Sequence, residues 1–365
     1  MAGVKTFQFG AASGGLDAGA EKILRSSDGG INWEGVVRSR ERGVAFPKKI
    51  YDLKFHPQNP GMIFLGTKGA GLWKSEDGGF SWSAVKDESG VLDPKADVYA
   101  LTIPRAEPDL IYAAVFQERM GRVLKSEDGG RNFREVYAIS AGGSGIADIY
   151  ANPASPNHVI IITGQGGVLE SRDGGRTWRV IGWLGGPLAR LIVNPVFPGE
   201  MLVVSSSGKI LKTFDGGKNW SELNFGRDNA SLTAGEVPYP YAGVTTFNPF
   251  VAVFGGREGP EVLVPEPSLF TTLYAGTKEG LHRSFNGGFT WEKLNLLIPQ
   301  GGAAVTAAAI HPRNPRIIFA GIRDEIHKSE DGGFSWSVQK LAARGVIRQI
   351  IVHPRNPDVI FLIFD

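Results

Sequence analysis

Acidic residues that could do chemistry recur along the chain within one short motif. Residues 75–82 show it in full, as Ser-Glu-Asp-Gly-Gly-Phe-Ser-Trp. The central residue and the aromatic end of each copy are, in chain order, Asp28 and Trp33, Asp77 and Trp82, Asp128 and Phe133, Asp173 and Trp178, Asp215 and Trp220, Asn286 and Trp291, and Asp331 and Trp336. Such carboxylates could bind metal ions or transfer protons. One carboxylate in each of several distant turns is neither a ligand cluster nor an acid–base pair, so we assign these residues a structural role and expect no metal site.

The residue types of this motif suit a tight turn. An aspartate accepts hydrogen bonds from backbone N–H groups within a turn, and the serine or threonine two positions earlier can add a hydroxyl group. The paired glycines tolerate positive φ, which most side chains avoid. An apolar-basic strand precedes each copy, and a second short strand opens on its aromatic residue. Each copy is therefore predicted to form a β-hairpin whose aromatic residue packs as a hydrophobic peg.

The spacing of the motif predicts how these hairpins are arranged. Its central residues follow one another at intervals of 49, 51, 45, 42, 71 and 45 residues. A period in the forties with four strand signals in each unit is typical of β-propeller blades. In one unit the four strands are predicted at residues 98–103, 110–115, 122–125 and 132–137. The interval of 71 residues predicts an insertion at residues 224–270 within one blade.

Strand signals at the two ends of the chain are complementary. Residues 22–25 and 32–36 have the pattern of a third and a fourth strand, whereas residues 347–352 and 359–364 have that of a first and a second. Pairing the two ends would complete one blade and remove exposed sheet edges. The sequence thus predicts one all-β domain over residues 1–365. We expect a seven-bladed β-propeller of four-stranded antiparallel blades, with one blade shared by the N- and C-termini.

Composition narrows the possible partners and compartments. The formal net charge is +2 with 21% charged residues, so we expect no nucleic-acid partner. The absence of cysteine excludes disulfides and thiolate chemistry. The apolar runs are of strand length, which argues against membrane insertion. The first ten residues lack the pattern of a signal peptide. The compartment stays open: extracytoplasmic or secreted if a leader has been removed, and otherwise cytoplasmic.

Three histidines recur in a second repeated segment, His-Pro-x-Asn-Pro. These segments begin at His56, His311 and His353. Three histidines could in principle ligate a metal ion. Their recurrence at the same offset in separate blades favours a turn instead, with proline fixing φ and asparagine capping its own backbone. We expect turn histidines and no cofactor.

The Ser-x-Asp-Gly-Gly-x-x-Trp motif resembles the Asp-box, or BNR repeat. Sialidases, the sortilin ectodomain, xyloglucan-degrading glycoside hydrolases and the propeller assembly factor of photosystem II share this repeat. Together with His-Pro-x-Asn-Pro, the segments Ile-Phe-Leu-Gly at 63–66 and Gly-Leu-Trp-Lys-Ser at 71–75 are most similar to the sortilin and xyloglucanase branch. The resemblance implies a propeller. The resemblance does not extend to the sialidase arginine triad. Xyloglucanases of this type place one catalytic carboxylate on each of two facing propellers, whereas this sequence supplies only one propeller.

A candidate ligand-binding surface follows from aligning the inner strands on their turns. We expect it to rim the channel mouth, on the face opposite the Asp-box turns. The candidate residues are Tyr51, Asp52, Asp97, Tyr99, Asp148, Arg190, Tyr241, Arg348 and Gln349. Aromatic rings interspersed with carboxylates and arginines suit sugar rings or a peptide tail, through stacking and hydrogen bonding.

Two functions are compatible with these residues. The first is a non-catalytic binding or scaffold propeller, acting as a monomer, whose partner is a glycan or a protein segment. The alternative is a glycoside hydrolase, sialidase-like or xyloglucanase-like, with Asp52 and Asp148 as its paired carboxylates. A hydrolase would need these two groups about 5 to 9.5 Å apart, with the pKa of at least one raised. We favour binding because the sequence holds no reaction-specific motif.

Overall fold

The computed structural model describes residues 22–36, 39–40, 44–139, 144–223, 252–253, 261–296, 298 and 303–365. Within these ranges the chain is all-β, and its strands form seven antiparallel sheets. Six sheets have four strands and the seventh has five. The predicted fold class, a seven-bladed β-propeller, is confirmed. No helix long and apolar enough to cross a bilayer occurs in the described part of the chain.

The strands are short and follow one another through tight turns. They are β1 Ile23–Ser26, β2 Glu34–Gly35, β3 Ile50–Phe55, β4 Ile63–Thr67, β5 Leu72–Ser75, β6 Ser83–Ala84, β7 Asp97–Thr102, β8 Ile111–Gln117, β9 Met120–Ser126, β10 Arg134–Ala138, β11 Ile146–Ala151, β12 Val159–Thr163, β13 Gly167–Ser171, β14 Arg179–Trp183, β15 Leu188–Val193, β16 Met201–Ser205, β17 Ile210–Thr213, β18 Ser221–Leu223, β19 Ala252–Val253, β20 Val262–Glu266, β21 Leu269–Gly276, β22 Leu281–Ser284, β23 Glu292–Lys293, β24 Ala307–Ile310, β25 Ile318–Ile322, β26 Glu325–Ser329, β27 Ser337–Lys340, β28 Ile347–Val352 and β29 Ile360–Phe364.

The chain divides into two compact units. The first unit comprises residues 1–35 and 223–365, and the second unit comprises residues 36–222. In the second unit the blades are β3–β6, β7–β10, β11–β14 and β15–β18. In the first unit they are β19–β23, β24–β27 and the sheet of order β2-β1-β29-β28. Each unit has its own apolar core, formed where neighbouring sheets pack face to face.

The two ends of the chain share one blade. Strand β1 pairs antiparallel with β29, and Leu24 lies opposite Leu362. Strand β29 pairs in turn with β28, so that N-terminal and C-terminal segments complete the same sheet. The predicted shared blade is therefore confirmed. Because β29 lies between β28 and β1, its backbone groups are paired on both sides, and β29 is not an exposed edge strand.

One blade differs from the predicted arrangement of strands. Strand β20 pairs directly with β21, and β19 adds a fifth strand beside β20. Strand β20 lies inside the segment 224–270 that the sequence assigned to an insertion, so at least this part of the segment belongs to the blade. The other residues of that segment, apart from 252–253, 261 and 267–270, lie outside the described ranges. The domain boundaries and the insertion otherwise stay predictions.

The repeated acidic turns share one hydrogen-bond pattern, shown here for residues 75–82. The Ser75 hydroxyl donates to Asp77 Oδ1 over 2.8 Å and accepts from Gly79 N over 2.8 Å. Asp77 Oδ1 also accepts from Ser81 N over 2.9 Å. Gly78 and Gly79 have φ of 76° and 92°, values that favour glycine. The Trp82 indole donates to Gly79 O and is fully buried. The aspartate thus satisfies donors of its own turn and holds the aromatic residue inward.

The His-Pro turns are held in a similar local way. His56 Nδ1 accepts hydrogen bonds from Gln58 N and Asn59 N over 3.2 and 2.9 Å. His311 and His353 make the corresponding bonds with the residues two and three positions later. Each imidazole therefore closes its own turn. Among the described residues no group of three or more His, Cys, Asp or Glu side chains could hold a metal ion.

Candidate ligand-binding site

The predicted surface residues fall into two sets. Six of them lie at the starts of β3, β7, β11 and β15 in the second unit, and we call this surface the inner-strand face; its residues are Tyr51, Asp52, Asp97, Tyr99, Asp148 and Arg190. Arg348 and Gln349 lie at the start of β28 in the first unit. Tyr241 lies outside the described residues. The site is therefore described from the inner-strand face, with β28 considered separately.

A β-bulge recurs at the start of the inner strands. In β3 the pairing passes from Ile50 to Asp52, so that Tyr51 is the extra residue. In β7 it passes from Val98 to Ala100, so that Tyr99 is the extra residue. The same irregularity occurs in β11, β15 and β28 at residues 147, 189 and 348. Bulges redirect side chains and are enriched near functional sites. Here they break the alternation of the strand at the candidate residues.

Two tyrosines form the aromatic part of the inner-strand face. The ring centroids of Tyr51 and Tyr99 are 5.0 Å apart with an interplanar angle of 49°. Both side chains are partly exposed. The Lys49 ammonium lies 5.6 Å from the Tyr51 centroid. This tilted pair with a neighbouring cation is an aromatic platform of the kind that binds apolar or planar groups of a ligand.

A carboxylate lies beside the two rings. Asp97 Oδ1 accepts a hydrogen bond from Gly69 N over 2.7 Å, and the Tyr99 hydroxyl donates to Asp97 Oδ2 over 3.5 Å. Burial, together with the charge of Asp97 and the neighbouring Tyr99, raises the pKa of Tyr51 to about 12. Both hydroxyl groups therefore stay protonated at neutral pH, because burial and Asp97 also raise the pKa of Tyr99. The Tyr99 proton is donated to Asp97, and both hydroxyl oxygens can accept a hydrogen bond from a ligand.

Asp52 is buried and already bound. Its Oδ1 lies 2.5 Å from Lys54 Nζ, and its Oδ2 accepts from Leu101 N, in the next blade, over 2.8 Å. Both members of the ion pair are buried. Burial lowers the pKa of Lys54, while the charge of Asp52 acts in the opposite direction. Asp52 thus joins two inner strands and compensates a buried ammonium group.

Asp148 in β11, two blades after Asp52, likewise accepts a backbone hydrogen bond from the next blade. Its Oδ2 accepts from Leu191 N over 3.0 Å, and its Oδ1 accepts from Ile149 N over 2.9 Å. Arg190 Nη1 lies 3.6 Å from Asp148 Oδ2. Burial raises the pKa of this carboxyl group, against the opposing charge of Arg190 and the Leu191 N–H. Two carboxylates and two cations, Lys54 and Arg190, therefore balance beneath the inner-strand face.

The two residues of the first unit have different environments. Arg348 Nε and Nη2 bind Asp365 Oδ2 over 2.9 and 2.7 Å. Gln349 is 7% exposed, so its side chain is largely inaccessible to a ligand. Arg348 has 38% of its side-chain surface exposed and keeps further N–H donors for a ligand.

Sequence reasoning missed two contributors to the inner-strand face. Lys54 follows Asp52 by two residues, a spacing that places both side chains on one side of a strand, and this signal could have revealed the pair. Lys49 precedes the strand and has no such signal. Aligning the inner strands on their turns assumed unbroken alternation, and it therefore did not anticipate the bulges at Tyr51 and Tyr99.

Comparisons with known proteins agree with this architecture. No family model matches the chain. The sequence is similar to the xyloglucanase Xgh74A of Acetivibrio thermocellus, with 28% identity over 162 residues that span 44% of this chain and 16% of the xyloglucanase. The predicted resemblance to the xyloglucanase branch is thus supported by sequence over part of the chain. The match covers a small fraction of the relative's length.

Solved structures share the fold over most of the chain. The GH74 xyloglucanase from Xanthomonas campestris superposes with a TM-score of 0.61 at 16% identity, covering 87% of this chain and 51% of the enzyme. YCF48 bound to D1 peptide superposes with a TM-score of 0.58 at 18% identity, covering 87% of this chain and 93% of YCF48. At these identities the likeness establishes a common propeller fold. It leaves the activity to be argued from the site.

Proposed function

We propose that this chain is a non-catalytic binding propeller whose inner-strand face takes an extended protein segment. The observation that carries the proposal is the partly exposed Tyr51–Tyr99 pair with Asp97 and Lys49 beside it. This arrangement offers two aromatic rings, two hydroxyl groups, one carboxylate and one ammonium group. A protein segment with an apolar or aromatic side chain and neighbouring polar groups matches all of them.

A propeller of similar fold provides independent support for a protein ligand. YCF48 has been solved bound to D1 peptide, and this chain covers 93% of its length. A glycan is the second ligand class, supported by the sequence similarity to a xyloglucanase. We place the protein segment first because the inner-strand face presents a carboxylate and an ammonium group together, which suit the charged side chains and backbone of a peptide.

Peptide selection tests this proposal. A random peptide library displayed on phage is selected in parallel against the wild-type chain and the variant Tyr51→Ala/Tyr99→Ala. We expect sequences that bind the wild type and lose at least tenfold in affinity for the variant, because each buried aromatic contact contributes about 1 kcal/mol or more. Tyr137→Ala is the matched control, since Tyr137 packs against Trp178 in an outer strand. Selected peptides that bind all three proteins equally would reject the inner-strand face as the site.

The hydrolase alternative keeps one supporting observation. Burial raises the pKa of Asp148, and a raised pKa is a property of a general acid. Against it, Asp52 and Asp148 are 5% and 4% exposed and both accept backbone hydrogen bonds. The test is turnover of xyloglucan oligosaccharides and aryl glycosides. We expect none; turnover that disappears in both Asp52→Asn and Asp148→Asn would replace the binding function with catalysis.

A further inference from the structure

A groove of about 950 Å³ lies on the outer side of the second unit, away from the residues of the inner-strand face. One wall is the outer strand β14 with the turn before it, and the other is the acidic turn that follows β17. We call it the outer groove. Charged side chains from both walls line it, among them Arg172, Arg179 and Lys218. Neither the binding function nor the hydrolase alternative uses this groove.

A single buried carboxylate holds two exposed arginines on one wall. Glu170 is 5% exposed; its Oε1 accepts from Arg172 Nε over 3.1 Å, and its Oε2 accepts from Arg179 Nε over 2.6 Å. His158 Nε2 lies 2.7 Å from Glu170 Oε1. The arginine side chains are themselves 70% and 63% exposed. Glu170 therefore holds both guanidinium groups through their Nε atoms. Both arginines line the outer groove and have further N–H donors for a ligand.

The opposite wall adds a further cation. Lys218 is exposed and lines the outer groove, and its ammonium makes no ion pair within the described residues. The neighbouring Asp215 carboxylate is directed into its own turn, where it accepts from Asn219 N over 2.9 Å and from Asn219 Nδ2 over 2.7 Å. The charges that remain available to a ligand are therefore mainly positive, which favours an anionic partner.

In the β3–β6 blade, residues of the chain itself pair with the outer edge. Residues 39–40 run along the outer side of the β3–β6 blade, where Ser39 bridges Trp82 in parallel register and Arg40 N donates to Trp82 O over 2.8 Å. The Arg40 guanidinium binds Glu76 and Asp77, both over 3.2 Å. Two residues of the chain thus pair with this blade edge, and the Arg40 charge is opposite to that of the turn.

The β11–β14 blade carries the reversed charge at the equivalent position. The sequence Ser75-Glu76-Asp77 of the first turn corresponds to Ser171-Arg172-Asp173. The residue after the motif's tryptophan changes from Ser83 to Arg179. An occupant that complements this edge must accordingly carry acidic rather than basic side chains. The exposed Val180, next to Arg179 on β14, gives such an occupant an apolar contact.

We propose that the outer groove binds an extended acidic segment of a partner protein, with its carboxylates on Arg172, Arg179 and Lys218. A smaller groove of about 290 Å³ occupies the corresponding place beside β6, and its charged lining residues are Lys74, Lys86, Glu88 and Arg131. There Glu88 N donates to Arg131 O over 2.8 Å, so the two walls are already bonded to each other. The outer groove has about three times this volume, and it is the site we assign.

The test uses a fluorescein-labelled synthetic peptide of alternating glutamate and serine, and a matched peptide with glutamine in place of glutamate. Fluorescence polarisation at low ionic strength measures binding to the whole chain. We expect the glutamate peptide to bind, the glutamine peptide not to bind, and added salt to weaken the complex. Equal binding of the two peptides, or no binding of either, would overturn the proposal.

Variants then locate the bound peptide. Lys218→Gln should weaken binding of the glutamate peptide about two- to fivefold, as expected for one exposed charge contact. Arg172→Gln/Arg179→Gln should weaken it more than tenfold, with thermal unfolding recorded because Glu170 loses two partners. Lys340→Gln is the matched control, since Lys340 is 72% exposed on another blade. Unchanged binding by Lys218→Gln, or an equal loss for Lys340→Gln, contradicts the assignment.

Two further measurements distinguish the outer groove from the inner-strand face and from a general polyanion site. Tyr51→Ala/Tyr99→Ala should bind the glutamate peptide like the wild type, so failure of the proposed function and failure of the outer groove can be told apart. A short DNA duplex serves as a second polyanion. If the duplex binds as tightly as the peptide and responds to the same variants, the groove binds polyanions in general and the assignment of an acidic protein segment is wrong.

Discussion

At the scale of single residues, the carboxylates of the inner strands join neighbouring blades. Asp52 accepts the N–H of Leu101, and Asp148 accepts the N–H of Leu191. Thr102 plays the same part with a hydroxyl group, since its Oγ1 accepts from Ala151 N over 3.2 Å. Thr102 lies two residues further along its strand than Asp52 and Asp148 do along theirs, so polar side chains at two positions satisfy backbone donors of the next inner strand. Asp52 in addition compensates the buried Lys54 ammonium group.

The buried Asp52–Lys54 pair predicts a specific pattern of stability. Lys54→Met should lower the free energy of unfolding by about 3–5 kcal/mol, because it leaves the Asp52 carboxylate buried without its counter-ion. Asp52→Asn/Lys54→Met should recover at least half of that loss, since asparagine still accepts from Leu101 N. Urea denaturation measures both. Lys209→Met, in an exposed pair with Glu222, is the control and should change stability by less than about 1 kcal/mol. If Lys54→Met and Lys209→Met lowered the free energy of unfolding by similar amounts, the role of the buried pair would be contradicted.

The acidic turns predict a dependence on pH. Hydrogen bonds from the Thr177 hydroxyl and backbone N–H lower the pKa of Asp173 from 3.8 to about 2, and similar bonds lower those of Asp128 and Asp215 to about 2. A lowered folded-state pKa contributes stability that is present above the unfolded-state value and is lost as pH falls from about 4 through 2. Unfolding monitored across this range should show a steep loss, which Asp173→Asn makes shallower. Glu222→Gln serves as the control for removing an exposed carboxyl group.

At the scale of the strand, a close approach between blades explains the glycine of the Ile-Phe-Leu-Gly segment at 63–66 and a second glycine, Gly276. A Cβ atom built on Gly66 in β4 would lie 2.6 Å from Val98 O in β7. On Gly276 in β21 it would lie 2.5 Å from Val305 O. Both contacts are with backbone atoms, which cannot rotate away. At these two places glycine allows a strand of one blade to approach the backbone of the next blade closely.

Gly66→Ala should thus destabilise the chain through overpacking, by roughly 1–3 kcal/mol. Gly69→Ala is the comparison, because Gly69 has φ of 65° but no heavy atom within 4 Å of the added Cβ. That change should cost only the strain of positive φ, about 1 kcal/mol. Thermal unfolding of the two variants ranks the effects. A larger loss for Gly69→Ala would mean that the backbones move apart and that the close approach is not limiting.

Strands and turns could be predicted from the sequence because their signals are local. The predicted strands 98–103 and 110–115 differ from β7 and β8 by one or two residues at their ends. The bulges at Tyr51 and Tyr99 could not be predicted, since they depend on the register with the neighbouring strand. The outer groove was missed for a similar reason: Arg172 and Lys218 belong to turns of different blades, and no spacing in the sequence relates them.

At the scale of the whole molecule, repetition made the number of blades predictable, whereas the interrupted interval gave no spacing from which to place strands. The regular motif spacing correctly indicated seven blades and a shared one. In the irregular interval, the place beside β21 belongs to residues 262–266, which lie within the segment 224–270 that the sequence assigned to an insertion. A repeated motif locates strands only where its spacing is regular. Where the spacing is irregular, the strand that completes a sheet is decided by hydrogen-bond pairing with its neighbour and not by distance from the motif.

The shared blade makes the pairing of β1 with β29 the contact that joins the two ends of the chain. Leu24→Cys/Leu362→Cys places two cysteines at opposed positions in a chain that has none of its own. Oxidation should close a loop that spans most of the sequence, and it should raise the free energy of unfolding by about 4–5 kcal/mol through the lost freedom of the unfolded chain. Urea denaturation with and without reductant measures the difference, and the reduced variant is its own control. If oxidised and reduced forms unfold together, the β1–β29 contact does not limit unfolding, and another blade must open first.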